Sequence, residues 1–99
     1  MSSLSGVYTT EKFPDLIAYN ASKHGVVGLM EGLAVEGRPH GIWAISVSPG
    51  AVDTEMLHVA NPDLHASLTP DDVARLISDL LDSPIEAMSG VNVPLFSNR

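Results

Sequence analysis

Apolar residues in the first half of the chain recur at the spacing of one helix face. Val26, Leu29, Met30 and Leu33 follow one another at intervals of three or four residues. This period predicts a helix from Leu16 to Glu36. The sequence Gly37-Arg38-Pro39 is a typical helix stop, because glycine tolerates the left-handed conformation at a helix end and proline cannot continue the helix.

The next apolar segment has the pattern of a strand rather than a helix. Residues 42–48 (Ile-Trp-Ala-Ile-Ser-Val-Ser) are apolar on both alternating faces except for small serines. A parallel strand that is covered on both sides has this pattern. Pro49-Gly50 closes the segment, and the stretch from there to about Leu68 has no clean period. We therefore expect a long functional loop, with room for a short helix.

A second helix is predicted from its start signal. Thr69 is a suitable N-cap, Pro70 suits the first helical position, and Asp72 stands three residues after the threonine. Ser83-Pro84 ends the predicted helix, and residues 90–94 have the character of a last short strand. Helices alternating with buried strands indicate an α/β fold. The predicted apolar stripe consists of Val73, Leu76, Ile77, Leu80 and Leu81.

Three glycines lie inside the first predicted helix. Gly25, Gly28 and Gly32 each cost helix stability of up to about 1 kcal/mol relative to alanine. Their presence predicts that another backbone, either a partner helix or the face of the sheet, packs closely against this helix.

Composition and charge exclude several classes of protein. The chain has 99 residues, 44% of them hydrophobic, a net charge of −7 and no cysteine. Its five basic residues are scattered, which argues against binding to DNA or RNA. The absence of cysteine excludes disulfides and thiolate metal sites. We see neither a secretory signal nor a membrane-spanning apolar segment, so the cytoplasm is the default expectation.

The run Tyr19-Asn20-Ala21-Ser22-Lys23 carries the most specific chemistry of the chain. Residues four apart lie on one face of a helix, separated by about 6 Å along its axis. An ammonium beside a phenol favours the phenolate, and this makes the hydroxyl a usable proton donor or acceptor. The alternative is a half-buried tyrosine and a solvated lysine that only share a face.

The order of motifs along the chain resembles a known family. A serine-rich opening that ends in Gly6 precedes Tyr-x-x-x-Lys, then comes the strand, and then Pro-Gly-x-Val-x-Thr at 49–54. This arrangement resembles the second half of a classical short-chain dehydrogenase/reductase. The resemblance implies the carboxyl-terminal part of a Rossmann-like, doubly wound parallel sheet. It also implies an oxidoreductase that moves a hydride between NAD or NADP and a carbonyl or alcohol substrate.

The resemblance assigns catalytic roles to three residues. Tyr19 would be the acid/base, and Lys23 would activate it and hold the ribose of the cofactor. Ser3 would bind the substrate oxygen, and we choose it over Ser2 and Ser5 because the family's serine commonly stands three residues before a glycine. A plain strand end that enters a turn remains the alternative for each serine.

Cofactor contacts are implied for the segment that follows the strand. Pro49 and Gly50 would end the strand beside the nicotinamide, while the Val52 backbone and the Thr54 hydroxyl would contact its carboxamide. Thr54 is also a candidate N-cap for the residues that follow, and both roles are compatible. None of the four histidines (His24, His40, His58 and His65) shows ligand spacing with acids that predicts a metal site.

The family's glycine-rich phosphate-binding turn is missing from this sequence. We therefore expect residues 1–99 to be a partial domain that lacks the amino-terminal dinucleotide-binding part. Two interpretations follow: an oxidoreductase that is a homo-oligomer when complete, or a non-catalytic remnant that associates through helix 16–36. Neither the substrate nor the choice between NAD and NADP can be read from the sequence.

Overall fold

The chain forms two parallel strands, with helices before the first strand and between the two strands. The computed structural model describes residues 1–7, 12–60, 63, 66–82 and 85–97. Its main elements are α1 (Ile17–Gly37), β1 (Ser46–Pro49), α2 (Glu55–Ala60), α3 (Pro70–Asp82) and β2 (Asn92–Leu95). Short 3₁₀ turns cover Leu4–Gly6, Arg38–His40 and Glu86–Met88.

The sheet confirms the predicted α/β class. Strands β1 and β2 pair in parallel, with Ser46 opposite Asn92 and Pro49 opposite Leu95. On the opposite edge of β1, the Ser2 amide donates a hydrogen bond to the Val47 carbonyl at 2.8 Å. Residues 1–3 form no strand, although they lie along this edge.

Helix α1 confirms the first predicted helix within one residue at each end. It ends at the predicted place, but Gly37 itself is right-handed and a 3₁₀ turn follows it; the left-handed glycine is Gly41, which has a φ of 69°. The Gly41 amide donates to the Arg38 carbonyl and the Ile42 amide to the Gly37 carbonyl, at 3.1 and 3.0 Å. This pair of bonds is a Schellman motif, which satisfies carbonyls at the helix end.

The first strand begins four residues later than predicted. Ile42 and Trp43 lie outside β1 and are 58% and 42% exposed. The reason is that the Ile42 amide is used to close α1, so the pairing with the second strand starts further along. Before the strand, the Ala44 carbonyl accepts from the Gly90 amide at 2.7 Å, and the Ala44 amide donates to Ser89 Oγ at 3.1 Å. The last strand likewise begins at Asn92 instead of Gly90.

Helix α3 begins as predicted, with a reciprocal capping box. The Asp72 amide donates to Thr69 Oγ1 at 3.1 Å, and the Thr69 amide donates to Asp72 Oδ2 at 3.0 Å. Pro70 occupies the first helical position. The predicted stop at Ser83-Pro84 lies outside the described residues.

Buried serines join the two strands. Ser46 and Ser48 are 2% and 0% exposed, and both hydroxyls donate to Asn92 Oδ1, at 2.7 and 2.6 Å. Buried hydroxyls need such an acceptor. Because the acceptor belongs to the neighbouring strand, the pairing register and the polar network support each other. The buried apolar residues beside them are Ala34, Val47 and Val73.

The predicted close packing on the glycines of α1 is not made by the described part of this chain. A Cβ added at Gly25, Gly28 or Gly32 would have no neighbour within 4 Å, apart from the helix's own backbone. Leu29 and Leu33 on the same helix are 59% and 43% exposed. This face of α1 is therefore uncovered here. None of the described helices is both long and apolar enough to cross a membrane.

Candidate functional site

Three separate segments converge at the carboxyl end of β1. The turn after Ser3 packs against α1 at Lys23, where a Cβ added at Gly6 would come 2.5 Å from the Lys23 carbonyl oxygen. The same turn reaches the strand end, because a Cβ at Gly50 would come 3.0 Å from Leu4 Cδ1. Parallel α/β sheets bind their ligands at this end of the strands.

Tyr19 and Lys23 meet on one face of α1. Lys23 Nζ lies over the Tyr19 ring, 5.5 Å from its centroid. One helical turn separates the two residues, which is the geometry expected for positions i and i+4. Tyr19 is 43% exposed, so its side chain is accessible to a small molecule. The ammonium and the phenol ring therefore form the neighbouring pair that the sequence predicts.

Ser3 lies between a buried serine and a tight turn. Its carbonyl accepts from the Gly6 amide at 2.8 Å, and Ser3 itself is half-buried. Ser2 immediately before it donates from its backbone to Val47 and from its hydroxyl to the Lys23 carbonyl, both at 2.8 Å. These two bonds attach the residue before the turn to β1 on one side and to α1 on the other.

The end of β1 and the segment after it are held by the last strand and by the residues before α3. The Gly50 amide donates to the Leu95 carbonyl at 2.8 Å. Val52 forms a parallel bridge with Leu68, and the Asp53 amide donates to the Leu68 carbonyl at 2.8 Å. Two parts of the chain thus fix the backbone around Val52.

Thr54 is the N-cap that the sequence allowed. Its Oγ1 accepts from the Leu57 amide at 3.2 Å, at the start of α2. A hydroxyl that accepts this bond keeps its proton for donation. The capping role therefore leaves a hydrogen-bond donor at this position. Helix α2 is the short helix for which the predicted loop had room.

Sequence reasoning missed the residues that hold the Ser3 turn in place. The sequence offers Ser2 only as an alternative to Ser3 for the catalytic serine. It offers Gly6 only as the glycine that follows the catalytic serine by three residues. Lys12 donates from Nζ to the carbonyls of Val7 and Leu4, at 2.8 and 3.3 Å. No local pattern predicts the bond from Ser2 to Lys23, because the two residues are 21 positions apart.

The histidines form no cluster in the described structure. His24 lies in α1 and its Nδ1 is 2.8 Å from the Asn20 carbonyl, while His40 lies in the 3₁₀ turn. His58 is in α2, and His65 is outside the described residues. Among the described residues, no group of three or more histidine and acidic side chains could hold a metal ion.

A family comparison decides the class of protein. The sequence profile described as "short chain dehydrogenase" matches residues 1–65. The chain belongs to the short-chain dehydrogenase family. The predicted resemblance is therefore confirmed.

Relatives of known name place the chain in the same family. It is 36% identical over 77 residues to an acetoacetyl-CoA reductase of Synechocystis sp., which is 68% of this chain and 32% of that protein. It is also 36% identical over 86 residues to the (-)-trans-carveol dehydrogenase of Rhodococcus erythropolis, covering 79% and 31%. The chain spans about a third of the length of these two relatives.

Solved structures share the fold. A 4-hydroxyisoleucine dehydrogenase complexed with NADH has a TM-score of 0.72 and 30% identity, covering 95% of this chain and 41% of its own. ElxO with bound NADP has a TM-score of 0.76 and 29% identity, covering 95% and 42%. These similarities confirm that the two strands and their helices are part of a Rossmann-like fold.

Proposed function

We propose that this chain supplies the proton-transfer centre and the substrate loop of a nicotinamide-dependent oxidoreductase. The observation that carries the proposal is the Lys23 ammonium over the Tyr19 ring, on a helix that adjoins the Ser3 turn. The reaction is the interconversion of a small carbonyl compound and the corresponding alcohol. As predicted from the sequence, residues 1–99 are then the carboxyl-terminal part of the catalytic domain.

Three side chains act, directly or through one another, on the carbonyl or alcohol oxygen of the substrate. In reduction, the Tyr19 hydroxyl donates a proton to the carbonyl oxygen; in oxidation, the phenolate accepts the proton of the alcohol. Lys23 stabilises the phenolate through its positive charge. Ser3 donates a hydrogen bond to the same substrate oxygen and stabilises the negative charge that develops there.

The residues around the strand end fit the nicotinamide end of NAD or NADP. Lys23 and Tyr19 would hold the ribose hydroxyls, Pro49 and Gly50 would lie beside the ring, and the Val52 backbone and Thr54 hydroxyl would hold the carboxamide. The fit rests on Thr54, whose hydroxyl proton remains available for donation, and on Gly50, where any side chain would crowd Leu4. When bound, the cofactor supplies or accepts the hydride. Both cofactors remain open, since one solved relative holds NADH and another NADP.

The substrate is proposed only as a class. The relatives' names describe a reductase of acetoacetyl-CoA and a dehydrogenase of carveol, which are a carbonyl compound and an alcohol. We expect residues 55–68 to determine the choice, because they follow the strand end and include α2. A cytoplasmic location stays a prediction from the sequence.

Association through α1 is the second candidate function. The uncovered Gly25, Gly28 and Gly32 and the exposed Leu29 would allow another backbone to approach closely. This contact would serve a homo-oligomeric enzyme and a non-catalytic remnant equally well. A measurement of catalysis, and not of association, therefore distinguishes the enzyme from the remnant.

The test is an activity assay of the gene product that carries this chain, expressed at its natural length. We expect oxidation of NADH or NADPH with at least one compound in a panel of small ketones, aldehydes and acyl thioesters. Tyr19→Phe removes the proton donor, so turnover should fall by about 10²–10⁴-fold, while cofactor affinity changes little, because Lys23 still holds the ribose after the Tyr19 contact is lost. Circular dichroism provides the control that the variant is folded.

Two results would contradict the proposal. The first is turnover of Tyr19→Phe within threefold of the unchanged protein, which would remove the tyrosine from the mechanism. The second is a folded gene product with no activity on the panel and no binding of either cofactor, which would favour the associating remnant.

A further inference from the structure

Ser2 is a buried polar residue that connects a strand to the helix of the proposed site. It is 4% exposed, and it uses both of its donors. Its amide donates to the Val47 carbonyl in β1, and its hydroxyl donates to the Lys23 carbonyl in α1, each at 2.8 Å. A single residue thus joins the sheet to the turn of α1 that bears Lys23.

Gly6 brings the same turn into backbone contact with α1. A Cβ added there would lie 2.5 Å from the Lys23 carbonyl oxygen and 2.6 Å from Ser2 Oγ. No side chain fits at that distance, because the nearest atom is backbone and cannot rotate away. Ser2 therefore bonds the Lys23 carbonyl, and Gly6, which has no side chain, lets the turn lie against the same carbonyl. These two contacts together form a clamp on Lys23.

Ser3 lies inside this clamp. It is bonded covalently to Ser2, and its carbonyl accepts from the Gly6 amide at 2.8 Å. Any movement of the turn relative to Lys23 therefore changes the position of Ser3 relative to the Tyr19–Lys23 pair. The ammonium and the carbonyl of Lys23 belong to one residue, so the turn acts on the residue whose charge stabilises the phenolate.

We propose that Ser2 and Gly6 are positioning residues that set the geometry between Ser3 and the Tyr19–Lys23 pair. Neither residue is assigned any contact with substrate or cofactor. The inference rests on the proposed function for its effect on the reaction, while the clamp itself is a property of the fold. Its test therefore needs one kinetic measurement and one that does not depend on activity.

The kinetic test compares Ser2→Ala with Ser22→Ala in the gene product at its natural length. Ser22 is the matched control, because its hydroxyl donates to the Tyr19 carbonyl at 2.8 Å within α1 and is exposed. We expect Ser2→Ala to lower kcat by about 10-fold or more, since small misplacements of reacting groups are costly. The cofactor KM should change by less than about threefold, because Ser2 is assigned no contact with the cofactor.

Hydrogen–deuterium exchange is the measurement that does not depend on activity. Ser2→Ala and Gly6→Ala should both speed amide exchange in residues 20–27 of α1, since each loosens the clamp at Lys23. Ser22→Ala should leave it unchanged. If the gene product has no activity, this measurement alone decides the structural claim, and the failure of the proposed function is seen separately.

A second substitution at Ser2 is available if the alanine variant does not fold. Ser2→Cys keeps the shape of the side chain, replaces oxygen by the larger sulfur and weakens the hydrogen-bond donor. If Ser2→Ala fails to fold, the same comparisons are made with this variant. The proposal is overturned if exchange in residues 20–27 equals that of the unchanged protein, or if an active variant shows the kcat of Ser22→Ala.

Discussion

Lys23 contributes to the proposed site through both its side chain and its backbone. The ammonium lies over the Tyr19 ring, and the carbonyl accepts the Ser2 hydroxyl. The first contact follows from the spacing of the two residues on a helix, so the sequence predicts it. The second joins residues that are 21 positions apart, and only the fold brings them together.

The charge of Lys23 leads to a prediction at the scale of the residue. Lys23→Met should lower both turnover and cofactor affinity, because it removes the charge beside Tyr19 and the donors proposed for the ribose hydroxyls. Steady-state kinetics and cofactor titration measure the two effects. Arg75→Met is the charge-matched control, since Arg75 is an exposed residue of α3 that pairs with Asp72. Intact cofactor binding and an unmoved pH–rate profile in Lys23→Met would make Lys23 an ordinary solvated residue.

At the scale of the element, local signals fix where most helices begin and end. Thr69 and Asp72 satisfy each other's backbone amides at the start of α3. Gly41 ends the 3₁₀ turn that follows α1 by adopting the left-handed conformation. The start of β1 is different, because it depends on a partner strand about 45 residues further along the chain. Consequently the helix starts were predicted closely and the strand start was not.

The capping box predicts a pH dependence for α3. Hydrogen bonds from the Thr69 backbone and hydroxyl, and then from Arg75, hold the pKa of Asp72 below its usual value of 3.8. A carboxylate with a lowered pKa stabilises the folded state at pH values above its unfolded pKa. This stabilisation is lost as the pH falls below about 4.

Asp72→Asn should therefore lower the melting temperature at pH 7 and reduce the loss of stability between pH 5 and pH 3. Thermal unfolding of the full-length gene product, followed by circular dichroism, measures both effects. Asp71→Asn at the neighbouring position is the charge-matched control. Equal melting temperatures for the two variants at pH 7 would show that the capping carboxylate contributes nothing specific.

The whole molecule exposes more surface than a free-standing protein of its size. Its accessible surface is 6728 Å², whereas a monomer of 10.5 kDa typically exposes about 5,400 Å². Its radius of gyration is 14.5 Å, against about 13 Å for a compact domain of 100 residues. Large apolar side chains such as Ile17, Val59 and Leu81 are 74–86% exposed. The two-stranded sheet thus leaves apolar surface that the fold of the family would cover.

The isolated 99-residue chain should accordingly be marginally stable and should not bind a nicotinamide dinucleotide. A two-stranded sheet is marginal in water, and the sequence has no glycine-rich turn to bind the pyrophosphate. The remaining hydrogen bonds, at about 0.5–1.5 kcal/mol each, would be largely offset by the loss of at least about 4 kcal/mol in translational and rotational freedom.

Isothermal titration of the purified chain with NADH and with NADPH measures cofactor binding, after circular dichroism has established whether the chain folds. Saturable binding tighter than about 100 μM would contradict the prediction and would mean that the cofactor site is complete within these residues.

The sequence alone determined the features that depend on neighbouring positions. Helical spacing gave α1 and the Tyr19–Lys23 pair, and capping residues gave the start of α3. The order of the motifs gave the family, which the match over residues 1–65 confirms. These predictions succeed because the interactions behind them span only a few residues. The roles of Ser3, Tyr19 and Lys23 and of the residues from Pro49 to Thr54 stay predictions.

The tertiary structure alone decided which distant residues meet. The contacts of Ser2 and Gly6 with Lys23 and the bonds from Ser46 and Ser48 to Asn92 all join separate segments. A serine in the sequence does not show whether its hydroxyl will meet water or a buried acceptor. That choice is made when the strands pair and the helix docks, because a polar group removed from water must find its partner among the residues that the fold brings to it.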